Sequence, residues 1–322
     1  MAVSGSKDFA PDVAEYIEEA FERCGLELRT GYDARTARRS LNLLFADWAN
    51  RGLNRWTIEQ VIQPVAADII EYPLGIITLS VAASGSFSLA ETITGGTSAA
   101  TASVITKPTA TSMTITIPSG TFVATETITG GTSAATTTVS AAPSLEDVQS
   151  SIDILSSVIR RSGQDIAIQR MSRDDYLNIP DKTTTGRPVQ FYVDRQITPI
   201  IKIWPAPENS TDQLVYDRLV RIDDADASVN TAQVPFRFYP CLTAGLAYYL
   251  SLKRAPDRVQ LLKTIYEEEF ERAASEDRDR ASLSIVPSES SLRVTGLCLN
   301  LLLINMLKES QTVLVSRINY AT

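Results

Sequence analysis

PDVAEYIEEAFERCGLELRTGYDARTARRSLNLLFADWANRGLNRW, Pro11 to Trp56, reads as two capped amphipathic helices joined by a glycine turn. In the first, from Pro11 to about Cys24, the residues Val13, Ile17, Ala20, Phe21 and Cys24 fall at i, i+4, i+7, i+8 and i+11. That spacing places a single buried stripe on a 3.6-residue period. Pro11 suits the first helical position, and Gly25 suits the left-handed residue past the end. The second helix is expected behind Asp33 as N-cap, with Ala37, Leu41, Leu44, Phe45 and Trp48 on its apolar face and Gly52 as its stop. Arg35, Arg38 and Arg39 fall on its exposed side. Two stripes this regular require a core to bury them.

Outward from that block, Val61 to about Thr78 reads as extended chain, with strands broken at Pro64 and Pro73. Residues 81–143 change character: only Glu91, Lys107 and Glu126 are charged, and Ser, Thr, Ala and Gly dominate. ETITGGTSAAT occurs at Glu91–Thr101 and again at Glu126–Thr136, and residues 84–104 match 119–139 at 15 of 21 positions. The alternation in SMTITIPSG and TASVIT is a strand period, with Gly95-Gly96 and Gly130-Gly131 as the expected turns. The segment therefore reads as an all-β module of two similar units inserted into a core domain.

Beyond Pro143, SIDILSSVIRR and QDIAIQRMS predict a hairpin turning at Ser162-Gly163, and SRDDYLNIP predicts a short helix closed by Pro180. VQFYVDR, PIIKIWPAP and QLVYDRLVRI predict a three-stranded meander. Pro240 and Pro256 open two further helices, the second with Val259, Leu262, Tyr266, Phe270 and Ala273 inward and an acidic outer face. The tail from about Ser282 starts with a linker and runs through LCLNLLLINML, Leu297 to Leu307.

At 322 residues and 44% apolar, the chain can bury a sizeable core. Its three cysteines, Cys24, Cys241 and Cys298, lack paired spacing, which argues against a disulfide framework and for a reducing compartment. The first residues carry neither an apolar core nor a cleavage site, so no secretion signal is expected. Histidine is absent, which removes the commonest general base and metal ligand. No catalytic residue, cofactor or metal site is expected. Asp174-Asp175 and Glu267–Glu269 are consecutive residues on helices and do not form a glycosidase pair. The ITGG turns lack the Lys-Ser/Thr and helix of a phosphate loop. Trp48, Trp56 and Trp204 read as packing anchors. The tail's apolar run of 11 residues is too short to span a bilayer. A net charge of −8 disfavours a duplex-binding footprint and suits a surface that DNA slides past.

Four segments also resemble one family in order: Ile17–Gln60, Met171–Gln196 (MSRDDYLNIPDKTTTGRPVQFYVDRQ), Ile203–Phe238 (IWPAPENSTDQLVYDRLVRIDDADASVNTAQVPFRF) and Ala244–Ala281. Over roughly two thirds of the chain they are similar to the head-to-tail adaptor, or packaged-DNA stabilisation, proteins of short-tailed bacteriophages. The inserted repeat and the apolar tail depart from the shorter members. The resemblance implies a virion structural protein assembled in the host cytoplasm. It implies a ring, of twelve copies, between the portal protein and the tail nozzle, with packaged DNA in the lumen and no membrane.

The resulting fold class is α+β: a helical-bundle core with antiparallel strands (1–80 and 144–285), an inserted β repeat domain (81–143) and an extended C-terminal tail (286–322). Arg35, Arg38, Arg39, Asp47 and Arg51 are the candidates for the subunit interface, although Asp47 and Arg51 at i, i+4 first support their own helix. Leu297, Leu299, Leu301, Leu302, Leu303, Ile304 and Leu307 are the candidates for portal docking. The alternative function is an accessory module whose β repeats bind tail fibres or host polysaccharide.

Overall fold

A computed structural model describes Gly5, residues 8–52 and residues 55–277. The elements run α1 (Val13–Arg23), α2 (Gly31–Arg51), β1 (Ile58–Pro64), β2 (Glu71–Pro73), β3 (Ile77–Val81), β4 (Thr92–Gly95), β5 (Thr101–Thr109), β6 (Ser112–Ile115), β7 (Thr127–Gly130) and β8 (Thr136–Ala141). They continue with α3 (Glu146–Gln149), β9 (Ser151–Arg161), β10 (Gln164–Ala167), β11 (Gln169–Arg170), α4 (Arg173–Asn178), β12 (Thr185–Gly186) and β13 (Gln190–Asp194). The last are β14 (Ile200–Trp204), β15 (Ala206–Pro207), β16 (Gln213–Val220), α5 (Tyr239–Arg254) and α6 (Val259–Glu276). The chain is α+β, and its described residues build three separate apolar cores. The candidate tail, with Leu297 to Leu307, lies outside the described residues.

The first core is the helical bundle. Both predicted stripes are buried in full: Val13, Ile17, Ala20, Phe21 and Cys24 on α1, and Ala37, Leu41, Leu44, Phe45 and Trp48 on α2. Gly25 and Gly52 end the helices as read, but the N-caps differ from expectation. Pro11 precedes the helix, because Asp12 is extended and its carboxylate accepts the Glu15 N–H at 2.8 Å while Glu15 accepts that of Asp12 at 3.1 Å. α1 ends in a Schellman turn, with Gly25 at φ +71° and the Leu26 N–H on the Phe21 carbonyl. α2 is capped by Thr30 and not by Asp33, so it starts three residues early. Asp33 is in its first turn, buried, receiving the Thr30 hydroxyl at 2.9 Å and the Arg254 guanidinium at 2.6 Å. α5 runs through the middle, against α1, α2 and α6. Gly245 makes that approach possible: a Cβ there would lie 2.9 Å from both Leu44 and Tyr266.

The second core lies between two four-stranded sheets, β1-β16-β9-β10 and β11-β13-β14-β2. The hairpin at Ser162-Gly163 forms as read, both residues taking positive φ. The expected meander does not. β13 and β14 pair, but β16 crosses to the other sheet between β1 and β9, and β2 takes the place beside β14. Pro205 and Pro207 cannot continue the ladder as donors, and β16 leaves with Leu214 and Tyr216 turned into the shared core.

The third core fills a closed six-stranded barrel, β3-β6-β5-β4-β7-β8. It starts at Ile77, inside the stretch assigned to the core domain from sequence. β3 to β5 correspond in order to β6 to β8, and β4 pairs antiparallel with β7 with Thr94 opposite Thr129. Those two threonines are the same position of the two repeats, so the pairing lies on a local two-fold axis.

Candidate functional site

Each glutamate of the barrel repeat reaches across the local two-fold into the other repeat. The Glu91 carboxylate accepts N–H bonds from Ser88 (2.5 Å), Thr132 (3.2 Å) and Ser133 (2.9 Å), and the Ser133 hydroxyl at 2.9 Å. Glu126 does the same with Val123 (2.7 Å), Thr97 (3.2 Å), Ser98 (3.0 Å) and the Ser98 hydroxyl (2.9 Å). Burial raises the pKa of both carboxyls, and these hydrogen bonds outweigh it, holding each below the ordinary glutamate value. The ITGG segments are thus anion cradles occupied by the protein's own carboxylates. The turns fall at the expected glycine pairs, with Gly96 and Gly131 opening them, but the glycines are not there for a left-handed backbone. The left-handed residues are Ala99 and Ala134, while Gly95 and Gly130 make room, since a Cβ at either would sit 2.7 Å or less from the incoming carboxylate oxygen.

At the C-terminal end of α2, Arg51 donates to Asp47 at 3.0 Å and bidentately to Glu267 at 3.0 and 3.1 Å. Its guanidinium lies 4.4 Å from the centre of the Phe270 ring. The Glu267 hydrogen bonds outweigh burial and keep Arg51 firmly protonated; the same contact holds the Glu267 carboxyl below its usual range. Trp48 is buried and donates from Nε1 to the Tyr266 hydroxyl at 3.0 Å, which faces Asp47 at 3.3 Å. Asp47 and Arg51 therefore have their partners within the subunit.

The three arginines of α2 differ. Arg38 is half-buried and donates to the Asp226 carbonyl, tying α2 to the 221–234 loop. Arg35 and Arg39 are exposed, with no ion pair to a described residue. They continue a stripe that starts at Tyr32, 65% exposed, and ends at Leu43, 53% exposed.

Where bundle and first sheet meet, a cavity of about 1080 Å³ is lined by Glu59, Asp147, Asp223, Asp224, Arg218 and Arg221 among others. Arg218 is its anchor. It is 4% exposed and donates to Glu59 (2.9 Å), to Asp147 and to the Ser151 hydroxyl (2.9 Å). Gly75, at φ +141°, leaves space for this contact: a Cβ would lie 2.6 Å from both Arg218 and Asp147. Glu59 and Asp147 are ion-paired with Arg218 and Asp224 with Arg221, and no group of His, Cys, Asp or Glu among the described residues is arranged to hold a metal ion. The cavity is a clamp between the sandwich and the entry to the barrel.

Trp56 packs on Phe238 with ring centres 4.6 Å apart, and Trp204 donates to the Asp181 carbonyl at 3.2 Å. Asp175 caps α4 with Ser172. Cys24 and Cys241 are buried free thiols. No described helix is long and apolar enough to cross a membrane. Neither a scan against protein-family models nor a search of curated proteins returns a match to the chain. Sequence reasoning missed Glu91 and Glu126 as paired latches. Their signal was present: two isolated acids at one repeat offset in an otherwise almost uncharged segment.

Proposed function

We propose that this protein is a head-to-tail adaptor of a short-tailed bacteriophage, a virion subunit that joins portal to tail and helps retain packaged DNA. The observation that carries this reading is the outer face of α2. Tyr32, Arg35, Arg39 and Leu43 stand exposed in one stripe on a helix whose other faces are buried or internally paired. An aromatic, a leucine and two uncommitted guanidiniums on a rigid helix suit a protein partner better than bulk water. The ordered resemblance over four segments supports the adaptor assignment, and the acidic net charge suits a lumen that passes DNA without holding it.

The test is the mass of the full-length chain by native mass spectrometry, alone and mixed with purified portal rings. The adaptor reading expects a ring, of twelve copies, alone or after portal addition; a chain that stays monomeric in both conditions refutes it. Replacing Leu301 and Leu303 with Asp is expected to abolish portal attachment and leave the folded subunit intact. Normal attachment by that double variant removes the docking role from Leu297 to Leu307.

The barrel favours a second reading as an accessory binding module, because it has a core of its own and shows Leu89 and Val123 to solvent. Excising residues 77–141 tests it. Intact particles that no longer adsorb to cells favour host or fibre binding, whereas failed assembly favours a role in the connector.

A further inference from the structure

The outer face of α1 forms one wall of a groove of about 440 Å³. Glu15, Glu18, Glu19 and Glu22 are exposed along it; Arg23 pairs with Glu19 at 2.9 Å, which leaves an acidic excess. The facing side is aromatic. Phe9 and Tyr239 line it, and Phe236 adjoins Tyr239 outside the groove; Phe9 and Phe236 are 70% and 72% exposed and each makes a T-shaped contact with Tyr239, with ring centres 6.4 and 5.4 Å away. Tyr16 also lines the groove, is only 3% exposed, and its buried hydroxyl has no partner among the described residues.

Carboxylates beside aromatic rings select a cation with a flat body, which gains both charge pairing and the ring quadrupole. A guanidinium fits, and a tyrosine or leucine beside it would cover the exposed phenylalanines. The α2 stripe of Tyr32, Arg35, Arg39 and Leu43 has that composition. Neither surface is complementary to itself: acid would meet acid, or arginine would meet arginine.

We propose that the groove beside α1 of one copy receives the Tyr32–Leu43 stripe of α2 from a second copy, with an arginine seated over the Tyr239 ring between the glutamates. This rests on the ring-forming role proposed above and names the surfaces that build it. Two different patches make the contact heterologous, so each copy can receive one neighbour and dock on the next, and the chain of contacts can close.

The test uses full-length protein in analytical ultracentrifugation. One variant carries Arg35→Glu and Arg39→Glu, the other Glu18→Arg and Glu22→Arg. None of these four side chains has a hydrogen bond or ion pair with a described residue, so the thermal unfolding of both variants should match the wild type. Each variant alone is expected to self-associate at least about tenfold more weakly, because like charges then face one another. An equimolar mixture should recover wild-type association, since each reversed surface finds its complement on the other variant. Variants that assemble like the wild type, or a mixture that fails to recover, overturn this interface while leaving a ring by another contact intact. A wild type that stays monomeric at every concentration and with portal rings overturns the adaptor reading as well.

Discussion

Replacing Glu91 with Ala removes a carboxylate that is 4% exposed and accepts three backbone N–H bonds and one hydroxyl. Leaving a buried donor unpaired costs about 1–3 kcal/mol, and the truncated site admits some water to the exposed end of the cradle. Taking the low end for each of the four donors gives a loss of about 3–5 kcal/mol from the barrel. Glu126→Ala should match it to within about 1 kcal/mol, because its cradle has the same donors in the same order. The assay is native-state hydrogen exchange with mass spectrometry over residues 77–141, since all three tryptophans lie outside the barrel. Stability should also follow pH. Both carboxyls titrate below their ordinary value in the fold, so their contribution is complete above about pH 4.5 and declines as pH falls through the folded pKa values. A loss below about 1 kcal/mol in either variant, or barrel protection that does not fall between pH 5 and 3, refutes the latch.

Arg51→Ala removes two ion pairs and a guanidinium stacked on Phe270; about 1–2 kcal/mol is expected in urea titration, with Arg51→Lys keeping less than half because it cannot bind Glu267 bidentately. Gly245→Ala forces α5 away from Leu44 and Tyr266 and should cost about 1–3 kcal/mol, read as a lower melting temperature; an unchanged melt would show that the crossing has slack. Burial raises the thiol pKa of Cys24, and pushes that of Cys241 up to about 12. Both should therefore resist iodoacetamide at pH 8 in the native protein and react on unfolding, as peptide mapping would show.

What the sequence revealed tracks the range of the interaction. The helix stripes were legible because burial imposes a period of 3.6 over neighbouring residues, and Ala37 to Trp48 fell where that period put them. The barrel was legible as a repeat, and the hairpin at Ser162-Gly163 as a turn. The N-caps were displaced because several residues near Pro11 and Asp33 can cap, and Asp33 was drawn inward by Arg254, 221 positions away. The place of β16 was not legible, since alternation shows that a strand is half-buried without showing which sheet receives it. The candidate surface divides in the same way. Arg35 and Arg39 are exposed as their helical phase requires. Arg38 is held by Asp226 and Arg51 by Glu267, and neither distant partner leaves a trace in local sequence.

The crossed glutamates bind the two halves of the barrel to one another. A lone 35-residue unit would own a carboxylate and an empty receptor for one, yet could not fit the first into the second, because the loop it needs belongs to the opposite unit. Such a unit finds its complement only in a second copy, so neither half of the barrel can satisfy its own glutamate without the other.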